Sequence, residues 1–169
     1  TGTANITVTN SSFNNTTSAN GEDGFHLIGS SSANVTLNVN NSSFIHNHGP
    51  QLKAHAEDSS TVNATIVDNL FDGEPSIVGN TGLDLAVRDN ADLIFNVSGT
   101  TLGDQVFQPI RGQVINVFAL GNGTASGRIN RNDINGSDQA SGIREVSSVT
   151  TSGNPNVTVE IDGNDIDVI

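Results

Sequence analysis

Three aspartates near the C-terminal end of the sequence, Asp162, Asp165 and Asp167, are candidates for a metal site, and Glu160 precedes them. Carboxylate oxygens are the ligands that Ca²⁺ prefers in proteins. Their spacing matches neither the EF-hand loop nor the glycine- and aspartate-rich nonapeptide of calcium-binding β-rolls. The sequence therefore predicts no cofactor and favours solubility through negative charge as the role of these residues, with calcium binding as the alternative.

A second pattern that could bind a metal is the pair His46-x-His48. Two histidines on an extended segment can chelate a transition metal when both rings point the same way. No third ligand lies nearby in the sequence, and histidines in turns are usually solvated. The pattern therefore favours two solvated turn histidines over a metal site.

The overall charge excludes several classes of partner. The chain has 169 residues, 18 acidic and 6 basic side chains, and a formal net charge of -12. Binding to nucleic acid requires clustered lysine and arginine, so neither a nucleic acid nor an anionic membrane surface is an expected partner. The chain has no cysteine for disulfides or zinc. It also has no apolar run near the roughly 20 residues that a membrane helix needs, which predicts no membrane insertion.

The polar composition favours β-structure. Asparagine (23), serine (18), threonine (16) and glycine (18) dominate the chain, and all four residue types are poor in helix interiors. Valine, isoleucine, leucine and phenylalanine recur between them in short alternating groups. This pattern predicts short strands joined by tight turns rich in asparagine and glycine.

One pattern repeats along nearly the whole chain. Two apolar residues two apart are followed by polar residues and then by an apolar anchor, as in Leu37-x-Val39-x-Asn41-Ser42-x-Phe44. A second strand-like segment lies between successive anchors. The anchors are predicted to stack in one core column, and they are Phe13, Phe44, Phe71, Leu102, Ile134 and Ile166, spaced 27 to 32 residues apart.

This repeat length fits one coil of a β-solenoid better than two strands of a sandwich. A sandwich gives no reason for similar side chains to recur at the same turn, whereas stacked coils place them in columns. The positions two and three before each anchor are predicted to stack at the bend, where asparagine and serine side chains can form hydrogen bonds along the axis and tolerate left-handed backbone. The position two before each anchor reads Ser11, Ser42, Asn69, Thr100, Asn132 and Asn164. The position three before reads Asn10, Asn41, Asp68, Gly99, Arg131 and Gly163.

The segments 33–44 and 156–164 resemble the repeats of right-handed parallel β-helix proteins. Such repeats occur in large bacterial surface and secreted proteins, including autotransporter-type passengers, and in pectin-degrading enzymes. The resemblance implies an extracellular or cell-surface location and a carbohydrate or host-surface ligand. It specifies a fold and carries little about activity.

An enzyme on this fold would need convergent carboxylates with a basic residue on one exposed face. The predicted outward columns are mostly small and polar, and Arg128 with Glu160 reads as a surface ion pair. The outward column on the second strand of each repeat does carry charged residues. It reads His26, Lys53, Asp84, Asn116 and Arg144. No column offers two carboxylates on neighbouring coils, so the sequence predicts no catalytic residue.

Three further features of the sequence bear on surface and core. Twelve Asn-x-Ser/Thr sequons are present, several of them inside predicted strands or stacked turns where a glycan would clash. The usual sequence pattern of an ice-binding face is a regular Thr-x-Thr array, and Thr7-x-Thr9 is the one clean example, so the sequence does not predict ice binding. Glu145 falls at a position that is apolar in other repeats, which predicts a local bulge or strand end there.

The sequence thus predicts one domain spanning residues 1–169, an all-β, right-handed parallel β-helix of about five to six coils. The favoured function is a structural module of a cell-surface adhesin, passenger or fibre, with no enzymatic activity. A polysaccharide lyase or glycoside hydrolase on the same fold is the alternative. Open coils at both ends predict self-association end to end or continuation in a longer chain.

Overall fold

The computed structural model describes residues 2–16, 22–73, 80–136, 142–148 and 153–168, and the strands within them form three parallel sheets. Sheet A contains β1 Thr3–Thr9, β4 Asn34–Asn40, β7 Thr61–Val67, β10 Asp92–Ser98, β13 Thr124–Asn130 and β16 Asn156–Asp162. Sheet B contains β2 Ser12–Asn14, β5 Ser43–Ile45, β8 Leu70–Asp72, β11 Gln105–Ile110, β14 Asn132–Gly136 and β17 Asp165–Val168. Sheet C contains β3 Phe25–Gly29, β6 Leu52–Ala56, β9 Leu83–Val87, β12 Ile115–Leu120 and β15 Ile143–Ser148.

The chain visits sheets A, B and C in turn and then returns to sheet A one strand further along. Five complete three-stranded coils and two strands of a sixth are formed in this way. Every neighbouring pair of strands is parallel, and sheet A shows no register shift from β1 to β16. The predicted all-β parallel solenoid is therefore confirmed.

The core lies inside the coils because alternate residues of each strand point inward. In sheet A, one inward column has side chains of complementary size: Phe95 lies between Ala64 and Gly127. A Cβ added at Gly127 would overlap the carbonyl oxygen and ring of Phe95. Glycine is therefore required here to accommodate the large neighbouring ring.

The column of anchors differs from the prediction at one position. Phe13, Phe44 and Phe71 occupy equivalent positions of sheet B. Phe107, however, pairs with Phe71 on one side and with Ile134 on the other. Leu102 is 54% exposed, so its assignment to the core column is wrong.

A longer corner in the fourth coil explains the error. Thr101 and Asp104 close an extra turn before β11: the Thr101 amide donates to Asp104 Oδ2 at 2.8 Å, and the Thr101 hydroxyl at 2.7 Å. This turn displaces the strand, and with it the anchor, by five residues. Ile166 lies in register with Ile134 but is 46% exposed, because the sixth coil has no described neighbour on its other side.

The bulge predicted at Glu145 is also wrong. β15 pairs with β12 residue for residue from Ile143 to Ser148, and Glu145 lies opposite Val117 without a register shift. The side chain of Glu145 lies outside the described part of the structure.

The bend between sheets A and B adopts the left-handed backbone that the sequence predicted. Asn10, Asn41 and Asp68 have φ values of 50°, 47° and 57°, and Arg131 and Gly163 have 53° and 60°. Asparagine and aspartate tolerate this conformation better than most residues. In these five coils the bend places the following residue at the inner corner. In the fourth coil the residue with positive φ is Gly103, at 94°, two residues before Gln105.

Candidate functional site

The inner corner between sheets A and B carries a polar ladder, here called the corner ladder, which has one break. The Ser11 amide donates to Ser42 Oγ at 3.2 Å, and the Ser42 amide donates to Asn69 Oδ1 at 3.0 Å. The same bond runs from the Asn69 amide to Gln105 Oε1 at 3.0 Å and from the Asn132 amide to Asn164 Oδ1 at 2.9 Å. The ladder is interrupted between Gln105 and Asn132, where Asn132 Oδ1 is buried without a hydrogen-bond partner among the described residues. The members are Ser11, Ser42, Asn69, Gln105, Asn132 and Asn164.

Each asparagine in the corner ladder also uses its amide group to join coils. Asn69 Nδ2 donates to the carbonyl oxygen of Val39 in the preceding coil at 3.1 Å and to that of Val67 at 2.9 Å. Asn132 Nδ2 makes the equivalent bonds to Val97 and Asn130 at 3.2 and 3.1 Å. Ser42, Asn69, Gln105 and Asn132 are buried. The ladder therefore satisfies backbone groups that the bend would otherwise leave without partners.

The fourth rung is Gln105 and not Thr100, which the sequence had placed there. Thr100 is exposed in the extra turn, and its amide and hydroxyl both donate to Asp68. Gln105 Nε2 donates to the Ile66 carbonyl oxygen at 3.2 Å and thus replaces an asparagine in the ladder.

The metal-site candidates are not brought together into a metal centre. Asp162, Asp165 and Asp167 are all exposed. His46 has a φ of 54°, so the His46–His48 pair lies on a turn rather than on an extended segment. Within the described ranges, no group of three or more His, Asp or Glu side chains is arranged to hold a metal ion.

A group of ionisable and polar side chains in mutual contact lies on the outward face of sheet C. This sheet C cluster consists of Asp23, His26, Lys53, His55, Asp84 and Asn116. Asp23 Oδ2 lies 2.9 Å from His26 Nδ1 and 3.1 Å from Lys53 Nζ. Asp84 accepts a hydrogen bond from Asn116 Nδ2 at 2.8 Å and lies 3.0 Å from His55 Nε2. The ring centroids of His26 and His55 are 6.0 Å apart.

Burial and hydrogen bonding set the ionisation of this cluster. Burial by itself raises the pKa of Asp84, but hydrogen bonds from His55 and Asn116 and the nearby charge of Lys53 outweigh it, so the pKa is lowered. The pKa of His26 is lowered by burial and by the charge of Lys53, which together outweigh the attraction of Asp23. Asp84 is thus held as a carboxylate that joins the second, third and fourth coils.

The sequence identified part of this cluster but not its second carboxylate. The column of His26, Lys53, Asp84 and Asn116 follows from the predicted strands. Asp23 precedes β3, so strand alternation did not assign it to this face. Asp23 side-chain exposure is 10%, and its Oδ1 is buried without a hydrogen-bond partner.

Substitution of Asp84 by asparagine is expected to lower the free energy of unfolding at pH 7 by about 1–3 kcal/mol, because charge-assisted hydrogen bonds are lost. The folded pKa of Asp84 lies below its unfolded value, so its stabilisation is complete above the usual aspartate range and is lost as the pH falls through the folded pKa. Urea unfolding at pH 7 and pH 3 measures both effects. The difference between wild type and variant should shrink at pH 3. The exposed Asp92→Asn is the control, and an equal loss in both variants would contradict this role.

A groove lies away from the sheet C cluster, at the corner between sheets A and B. Its volume is about 450 Å³, and Asp68 and Asp104 stand on its walls beside Leu70 and Val106. The other lining residues are uncharged: Asn10, Ser11, Ser12, Asn41, Ser42, Ser43 and Asn69. The groove therefore has carboxylates but no basic side chain.

The outward face of sheet A over its first three strands carries only threonine, asparagine and one valine. We call this the checkerboard face, because the two polar residue types alternate between neighbouring coils through most of it. Its residues are Thr3, Asn5, Thr7, Thr9, Asn34, Thr36, Asn38, Asn40, Thr61, Asn63, Thr65 and Val67. All are exposed or half-buried.

No helix in the described part of the chain is long and apolar enough to cross a membrane. Comparison with protein-family models, with curated proteins and with solved structures finds no match to this chain.

Proposed function

We propose that this chain is an extracellular structural module, a rigid β-solenoid segment of a cell-surface adhesin, passenger or fibre. The observation that supports this function is the corner ladder, which joins successive coils by hydrogen bonds of buried side chains. A ladder of this kind stiffens the stack along its axis and has no evident use in catalysis. The resemblance of the repeats to surface and secreted proteins supports the extracellular location.

The separation of the two candidate sites argues against the enzyme alternative. A polysaccharide lyase or hydrolase needs a groove lined by carboxylates and a basic residue together. In this chain the sheet C cluster has Asp23, Asp84 and Lys53 but lies outside the groove. The groove has Asp68 and Asp104 but no basic residue. This distribution favours a structural role for both groups of charges.

The proposed module extends by adding coils at its open faces. β1, β2 and β3 present unpaired edges at one end of the described stack, and β16, β17 and β15 present them at the other. Ile161 and Ile166 at the second end are 47% and 46% exposed. Sheets A and B have six strands and sheet C has five, so a neighbour that continues the stack also has to supply a strand beside β15. Further coils of the same chain or a second copy are the two sources.

Single-molecule pulling between the two ends tests the structural function. A load-bearing solenoid should unfold in discrete steps, each releasing one coil. The rungs of the corner ladder are 31, 27, 36, 27 and 32 residues apart, which sets the expected step lengths. A smooth extension without steps, as an unstructured chain gives, would contradict the proposal.

A further inference from the structure

The checkerboard face has hydrogen-bonding groups that the protein itself does not use. Thr36 is surrounded by asparagine, with Asn34 and Asn38 on its own strand and Asn5 and Asn63 in register on the two neighbouring strands. None of these side chains makes a hydrogen bond to any described residue, and the same holds for the other polar side chains of the face. Asparagine at the corners of the same coils is, by contrast, hydrogen-bonded in ladders. The face is therefore free to bond to something outside the protein.

The charges around the face indicate that this partner is electrically neutral. The twelve outward positions carry no ionisable group, although the chain has 18 acidic residues. The outward positions of the remaining strands of sheet A do carry charge, at Asp92, Arg128, Glu160 and Asp162. Neutrality is thus a property of this part of the sheet rather than of the whole sheet.

The unbroken parallel register of the first three strands of sheet A arranges the outward side chains of the face as a regular lattice. Neighbouring strands lie about 4.8 Å apart, and outward residues two apart on one strand are separated by about 6.6 Å. Threonine is stiff at χ1, and each hydroxyl can donate and accept a hydrogen bond, as each asparagine amide group can. Side-chain ladders such as the corner ladder are a known means of holding a sheet flat.

We propose that the checkerboard face binds ice, through a layer of water that its hydroxyl, methyl and amide groups hold in register with the crystal. An ice surface is neutral, regular and equally rich in hydrogen-bond donors and acceptors, as this face is. A polysaccharide surface is the competing partner. Sugar rings pack their apolar faces on aromatic side chains, and no aromatic side chain points outward on these three strands. The observations therefore favour ice.

Partition into a growing ice crystal tests this inference on the fluorescently labelled chain. The wild-type protein should enter the ice and should also slow ice recrystallisation. Thr36→Lys places a charged, hydrated group at the centre of the lattice and should reduce incorporation to the level of a protein that does not bind ice. Ser126→Lys, in the same column but outside the checkerboard face, should retain incorporation. Circular dichroism and the melting temperature verify that both variants are folded.

Three results would overturn the proposal. The first is a wild-type protein that is excluded from ice. The second is equal incorporation of folded Thr36→Lys and Ser126→Lys. The third is binding to insoluble cellulose or chitin that Thr36→Lys abolishes, without incorporation into ice, which would assign the face to a polysaccharide instead.

Discussion

Replacement of Phe44 by alanine is expected to lower the free energy of unfolding by about 3–5 kcal/mol. Phe44 is fully buried, and its ring stacks between those of Phe13 and Phe71 with both centroid distances at 5.0 Å. Removing the ring leaves a cavity in the middle of the aromatic column, which the neighbouring coils cannot close without breaking their parallel pairing. Urea unfolding followed by circular dichroism measures the change.

Leu102→Ala is the matched control for this change. Leu102 was assigned from the sequence to the same column, but it lies exposed in the extra turn. Its replacement should change the stability by less than about 0.5 kcal/mol. A loss at Leu102 as large as that at Phe44 would place Leu102 in the core column, as the sequence predicts, and would contradict the register of the structure.

Replacement of Asn69 by alanine is expected to cost roughly 2–4 kcal/mol, because buried polar groups lose their partners. The variant leaves the Ser42 amide without its acceptor and removes the bond to the Val39 carbonyl oxygen. Asn69 is 1% exposed, so water reaches these groups poorly. The melting temperature and the urea midpoint should both fall.

Asn38→Ala is the control for the corner ladder, since Asn38 points outward and forms no side-chain hydrogen bond to the described residues. The free energy of unfolding of the Asn38→Ala variant should stay within about 0.5 kcal/mol of wild type. If Asn69→Ala behaves like Asn38→Ala, the corner ladder does not hold the coils together and the structural function loses its main support.

Most of the fold could be predicted because a solenoid repeats its local rules. Each copy of the pattern places two apolar residues inward on sheet A, turns at a left-handed residue and adds an anchor, as at Phe13 and Phe44. The error at Leu102 arose where an extra turn imitates the pattern. Gln105-x-Phe107 has the same spacing as Asn69-x-Phe71, so the correct rung and anchor were present in the sequence. They were missed because the rung is Gln105, whereas the other rungs are serine or asparagine.

The surfaces were harder to predict because they depend on register between coils as well as on strand alternation. Asp23 belongs to the sheet C cluster but lies before β3, outside a strand. The alternation of inward and outward residues therefore does not predict where its side chain points. The checkerboard face exists only because Thr36 falls opposite Asn5 and Asn63, which requires offsets of 31 and 27 residues at once. A search along one strand for Thr-x-Thr could not detect an alternation that runs across strands.

Pairs of cysteines introduced into this cysteine-free chain test the parallel register on which all of these features depend. In the double variant Asn38→Cys, Thr65→Cys the two residues are register partners on neighbouring strands. Their Cα atoms are then within the range that a disulfide allows, so oxidation should cross-link them. In Asn38→Cys, Thr61→Cys the second cysteine is displaced by four residues, or about 13 Å along the strand, and no cross-link should form. Mass spectrometry after oxidation distinguishes the outcomes, and a cross-link in the displaced pair but not in the register pair would contradict the stacked coils.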